Sequence, residues 1–231
     1  MEREPRFFPL VSALFVTALI TSNIIAVKLV GLFGLFLPAA VILFPLSYII
    51  GDVLTEVYGF ARARQVIWTG FCCNLLAVAA IWAAGRLPAA PFWTLAGADS
   101  AEAAQAAFQA VLGLAPRILV ASFAAYLVGE FLNAMVMARL KVRTAGRHLW
   151  LRTIGSTIVG QGADSAVFIS LAFAGIFDGA GLRTAILSQW AFKVAYEVLA
   201  TPLTYWVVNT LKRVEGVDVY DRETRLKLFG G

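Results

Sequence analysis

Apolar blocks long enough to cross a bilayer, which takes about 20 residues each, alternate along this chain with short polar or basic interruptions. The pattern predicts six spans, over about residues 7–27, 32–57, 65–84, 117–137, 153–177 and 184–211. The first is too long, and is closed by Thr21, Ser22 and Asn23 rather than by a small-residue cleavage site, to be a removed signal peptide. The second carries Pro38 and Pro45. A proline inside a span frees a carbonyl and kinks the helix, so Pro45 is expected to bend this span just ahead of its polar residues.

The segment 85–116 breaks the rhythm. GRLPAAPFWTLAGADS reads as loop, with Phe92 and Trp93 suited to the interfacial aromatic belt. AEAAQAAFQAVLG then reads as a short interfacial helix capped by Asp99 or Ser100 and too polar to span. After the sixth span, residues 212–231 read as a charged, soluble tail. The expected fold is therefore an all-α polytopic membrane protein, one domain over residues 1–231.

Composition agrees: 60% of the 231 residues are hydrophobic and 14% charged, too apolar for a water-soluble domain. The net charge of +5 would suit nucleic acid as a partner, but its placement argues for the lipid bilayer instead. Fourteen of the 19 lysines and arginines fall before the first span, between spans two and three, between four and five, or after six. Lys28, Arg86, Arg117 and Arg183 fall on the opposite side, and Lys193 lies within a span. Basic loops stay in the cytoplasm, which places both termini there. Cys72 and Cys73 are adjacent in an apolar run and fit neither a disulfide framework nor a CxxC metal site. His148 is the only histidine, so bis-histidine haem and HExxH zinc chemistry are excluded, and no cofactor is expected.

The candidate chemistry lies in the polar residues that interrupt the spans. In FPLSYIIGDVLTEVYGF, Tyr48, Asp52 and Glu56 recur every four residues on one helix face. A carboxylate at mid-span costs about 2.5–3.5 kcal/mol facing lipid, so these point inward. Glu56 could alternatively sit at the cytoplasmic rim and pair with Arg62 or Arg64. The fifth span, with Gly155, Gly160 and Gly162 permitting close helix approach, places Gln161 and Asp164 on one face beside Ser165. No lysine or arginine lies within ten residues of Asp164, so it needs a partner from another helix, a proton or a ligand. In the sixth span Gln189, Lys193, Glu197 and Thr201 share a face, and Lys193 and Glu197 have salt-bridge spacing. They read either as a structural pair or as a site. Asn23, Asn74, Glu130 and Asn133 are lesser contributors. Five acids (Asp52, Glu56, Glu130, Asp164, Glu197) against one base, Lys193, cannot all stay ionised in a low dielectric, so protons or a cation must take up the difference. That imbalance suits transport of a polar solute.

Three blocks in their order, FPLSYIIGDVLTEVYG followed by RAR, STIVGQGADSAVF, and KVAYEVLATPLTYWVV running into LKRVEGVDVYD, resemble the bacterial queuosine precursor transporters, the small six-helix VUT family. The resemblance extends from Asn23 to Asp221. It implies a fold similar to the substrate-binding subunits of energy-coupling-factor vitamin importers, a place in the bacterial inner membrane, and import of 7-cyano-7-deazaguanine or its aminomethyl relative. Such a solute presents paired N–H donors that suit a carboxylate, here Asp164 or Glu197. Its O6 needs a donor, from Lys193 or an amide of Gln161, Gln189 or Asn23. Its flat ring needs an aromatic slot, for which Phe44, Tyr48, Trp190 and Tyr196 are candidates. The surplus acids Asp52 and Glu56 suit the ammonium of the aminomethyl form. The expected substrate-binding set is Asn23, Phe44, Tyr48, Asp52, Glu56, Gln161, Asp164, Gln189, Trp190, Lys193 and Glu197. A binding subunit that depends on an ATPase, or a carrier for another nucleobase-like solute, is one competing function, and an intramembrane enzyme is the second. The second lacks the YD and GxGD elements as a set, and any Ser–His or metal cluster. Glycine-rich faces make a homodimer plausible.

Overall fold

The computed structural model describes residues 5–32, 35–113 and 116–222. Among these there are seven α-helices: α1 (Phe8–Ile25), α2 (Phe44–Tyr58), α3 (Phe60–Arg86), α4 (Ala101–Leu112), α5 (Pro116–Arg143), α6 (Leu149–Phe173) and α7 (Gly179–Glu215). Between α1 and α2 lie two short antiparallel strands, β1 (Leu29–Leu32) and β2 (Leu35–Pro38), and a 3-10 turn, Ala39–Ile42. By length and composition, Phe8–Ile25, Phe60–Arg86 and Ile118–Arg143 are apolar enough to cross a membrane. Large apolar side chains such as Leu76, Trp82, Leu199 and Trp206 are exposed on the outside of the bundle, as a lipid-facing surface requires.

The strands correct the expectation that the second span begins near Leu32. Gly31 and Pro38 disfavour a helix there, and the backbone closes its hydrogen bonds between β1 and β2, with Leu29 opposite Pro38 and Leu32 opposite Leu35. Pro45 also does not kink a helix. It stands in the first turn of α2, where its missing N–H has no intrahelical partner to lose. At the other end Gly59, at φ 84°, lets the chain turn directly from α2 into α3. Ser100, rather than Asp99, caps α4, its Oγ accepting from the Ala103 N–H at 3.2 Å.

Among the described residues α5 packs most extensively against α6. A Cβ on Gly160 would stand 2.9 Å from the Gly129 carbonyl and 2.7 Å from the Asn133 Cβ, and one on Gly129 would stand 2.7 Å from the Asp164 Cβ. Only hydrogens fit, so the backbones meet and carry Glu130, Asn133 and Asp164 into the interior together. The apolar core is built around Phe15 of α1 and Ile50, Val53, Leu54 and Val57 of α2. That core surrounds α2 and leaves its polar face turned toward α5, α6 and α7.

Candidate functional site

Tyr48, Asp52 and Glu56 are successive turns of one face of α2, about 6 Å apart along the axis. Each meets a different layer of the neighbouring helices, so the interior polar groups are stacked along the bundle rather than gathered at one point.

The Tyr48 layer is a cavity of about 200 Å³, to which α1, α2, α3, α5, α6 and α7 all contribute. Its polar lining includes Ser22, Asn23, Tyr48, Glu130, Gln161, Asp164, Gln189 and Lys193, and Leu19, Val78, Ile118, Tyr126 and Phe168 supply apolar and aromatic walls. Lys193 of α7 forms an ion pair with Asp164 of α6. Its ammonium also lies 6.0 Å from the centre of the Tyr48 ring. The side-chain oxygens of Gln161 and Gln189 are buried with no hydrogen-bond partner among the described residues, as is the Ser22 hydroxyl. Buried polar atoms are ordinarily paired. Unpaired acceptors on the wall of a cavity, beside an ion pair, are placed to receive donors from a solute.

The sequence-level pairing of Lys193 with Glu197 is corrected here. Although their spacing permits a bridge along α7, Lys193 turns across to α6, because the close α5–α6 contact holds Asp164 opposite it. The partner that Asp164 required from another helix is thereby identified.

One turn further along, Asp52 is 1% exposed and its Oδ1 accepts from the Asn133 Nδ2 at 2.9 Å. Glu197, also 1% exposed, stands one turn along α7 from Lys193 just as Asp52 stands one turn along α2 from Tyr48, so it belongs to this layer.

The third layer closes the end of the bundle. Glu56 is wholly buried and pairs with neither Arg62 nor Arg64. Arg152 of α6 donates to it through both Nε (3.0 Å) and Nη2 (2.7 Å), and Lys212 of α7 donates at 2.6 Å. Lys141 of α5 donates to the Glu56 carbonyl and to Asp218. Arg62 instead stacks on Phe8, 5.4 Å from its ring centre. The tail is not simply a soluble extension, since its first residues are strapped over this end. Asp218 joins Lys141 (2.5 Å) to Lys212 (2.9 Å), Lys141 also donates to the Val219 carbonyl at 2.7 Å, and Asp221 accepts from the Phe60 N–H at 2.9 Å. Glu215, the last residue of α7, accepts from the Phe7 N–H and the Tyr58 hydroxyl.

Of the expected set, then, Asn23, Tyr48, Gln161, Asp164, Gln189 and Lys193 line one cavity. Asp52 and Glu197 lie one turn beyond it, and Glu56 two turns beyond, in the ion cluster. The indole of Trp190 donates to the Ile158 carbonyl at 3.0 Å, over Gly162 on the outside of the α6–α7 contact, and Tyr196 packs on the apolar core. The Phe44 side chain lies outside the described residues. Sequence reasoning passed over Tyr126 and Phe168, although each is four residues from an interior acid, Glu130 or Asp164, and so shares its face. Arg152 and Lys141 were read as loop cations and are instead 1% exposed. Their signal was faint: each lies within the terminal turn of its helix.

Residues 38–207 match the model of a family described as "Putative vitamin uptake transporter". The chain is 30% identical, over 189 residues, to the protein of Bacillus subtilis (strain 168) named "Probable queuosine precursor transporter", an alignment covering 81% of this chain and 79% of that one. No solved structure matches the chain.

Proposed function

Because this chain belongs to the putative vitamin uptake transporter family, we propose that it imports a queuosine precursor, 7-cyano-7-deazaguanine or its aminomethyl relative, across the bacterial inner membrane. The observation that carries the reading is the cavity, in which unpaired amide oxygens stand beside the Asp164–Lys193 pair. At about 200 Å³ it falls below the roughly 300–1,000 Å³ of drug-sized sites. That favours a bicyclic heterocycle over a nucleotide or a large vitamin. Asp164 accepts from the ring N–H and exocyclic amine, Lys193 donates to O6, and Gln161, Gln189 and Asn23 complete the edge. Tyr48, Tyr126 and Phe168 flank the ring plane.

In this reading α1, α2, α3, α5, α6 and α7 are six spans, α4 lies at the outer interface, and both termini are cytoplasmic. The cavity, which reaches Ala26 at the end of α1 and Ile118 near the start of α5, then faces outward, and the Glu56 cluster closes the cytoplasmic side. The purified protein, alone in liposomes preloaded with unlabelled 7-cyano-7-deazaguanine, is expected to exchange it for labelled solute from outside. Exchange that appears only with an ATPase partner present would make the chain a binding subunit. Exchange of guanine or another nucleobase in preference would move the substrate.

A further inference from the structure

The middle layer of the interior is used neither by the cavity nor by the closing ion cluster. Asp52 of α2 and Glu197 of α7 are both about 99% buried, and each has one carboxyl oxygen with no hydrogen-bond partner among the described residues. Asn133 of α5 is the neutral member. Its Nδ2 donates to Asp52 at 2.9 Å, while its own Oδ1, also buried, has no partner. Three elements thus bring unsatisfied acceptors to one level of the bundle.

The charges around this layer do not balance it. Acting on Asp52 are Glu197 from α7, Glu130 from α5 and Glu56 from its own helix, all acids. Each nearby cation is engaged elsewhere. Lys193, one turn away on α7, pairs with Asp164 of α6, while Arg152 of α6 and Lys212 of α7 pair with Glu56, and Lys141 of α5 holds Asp218. Two carboxylates with a single amide donor between them cannot both remain ionised in a water-poor interior. A proton is the smallest group that resolves this, since it neutralises one of the two acids without needing room for a ligand shell. Among the described residues no three histidine, cysteine or carboxylate side chains gather as ligands of a metal ion would.

We propose that Asp52 and Glu197 form a proton site, holding one proton between them and exchanging it as the protein transports its solute. The inference rests on the transport reading above and extends it to the energy source. The site stands between two elements that would have to know of each other. Tyr48 and Lys193, one turn from Asp52 and Glu197, line the cavity. Glu56, one turn on the other side, is the centre of the cluster that ties α2, α6 and α7 together. A proton gained or lost on Asp52 changes the field on both.

Two measurements test this. Infrared spectra of the wild-type protein in lipid at neutral pH are expected to contain the C=O stretch of a protonated carboxyl that weakens in both Asp52→Asn and Glu197→Gln, with Glu130→Gln recorded to subtract that buried acid. A band unchanged by either substitution overturns the proton site, and this measurement needs no substrate. In liposomes, an imposed inward proton gradient is expected to drive accumulation of 7-cyano-7-deazaguanine by the wild type. The two variants should lose that accumulation yet keep exchange at equal concentrations, which also shows that they fold. Wild-type accumulation indifferent to the proton gradient, or driven by sodium instead, overturns the coupling. Absence of any exchange by the wild type would remove the deazaguanine reading, and the infrared result would still decide the proton site.

Discussion

Asp164 and Lys193 hold each other from different helices, and on the proposed reading each also contacts the solute. Asp164→Asn keeps the volume and removes the charge, so it is expected to abolish uptake while membrane insertion continues. Because Lys193 pairs with Asp164 rather than with Glu197, the informative double substitution is at Lys193 and Asp164. If the pair were only structural, Lys193→Met with Asp164→Asn would be milder than either alone, since a lone buried charge is worse than none. If both contact solute, the double variant transports no better than the worse single, judged with folded protein quantified in each. Glu56 behaves differently. Its substitution by Gln leaves the buried Arg152 against a neutral group, while the half-buried Lys212 keeps Asp218, and breaking a buried pair in this way costs about 3–5 kcal/mol. Thermal unfolding in detergent should show this as a large fall in the melting temperature, well beyond that of Asp164→Asn.

Among the elements, the α5–α6 contact sets the geometry of the cavity, and it depends on glycine at two facing positions. Gly160→Ala places a methyl 2.9 Å from the Gly129 carbonyl and 2.7 Å from the Asn133 Cβ, so the helices must separate. Overpacking of this kind costs about 1–3 kcal/mol, and uptake should fall together with stability because Glu130, Asn133 and Asp164 move as well. The strap after α7 is a second such element. Partial burial pushes the Asp218 carboxyl up, but its hydrogen bonds with Lys141 and Lys212 and their charges outweigh this and hold it below its ordinary value. A group lowered on folding contributes stability above its unfolded value, about 3.9 for aspartate. That contribution is lost as the pH falls through the folded value. The melting difference between wild type and Asp218→Asn is therefore expected to be constant near neutrality and to shrink as the pH drops below about 4. A difference that grows on acidification would show that the strap is held by other contacts.

For the whole molecule, the proposed orientation makes a direct statement about the ends of the chain. A reporter active only outside the cytoplasm should stay silent when fused after Gly231, and activity there would invert the topology and with it the outward-facing cavity. The membrane class and the interior placement of the acids were legible in the sequence, because apolar length and the cost of a charge in lipid are local properties of a segment. So was the family, since its blocks are contiguous. The start of α2 was not legible. An apolar run with Gly31, Gly34 and Pro38 has the composition of a span, and only the competition between hairpin and helix hydrogen bonds distinguishes them. Nor was the pairing of charges. Along α7 the sequence offers Lys193 to Glu197 at ideal spacing, but a side chain pairs with whatever the neighbouring helix presents, and the approach of α6 through Gly160 presents Asp164. Arg152 and Lys141, which composition reads as loop cations, are drawn inside by Glu56 and by the tail that folds back over them. Sequence determined which residues a bilayer drives into the interior. Tertiary structure decided how they divide into a cavity, an acid pair and a closing cluster, because that division depends on which helices touch at which turn.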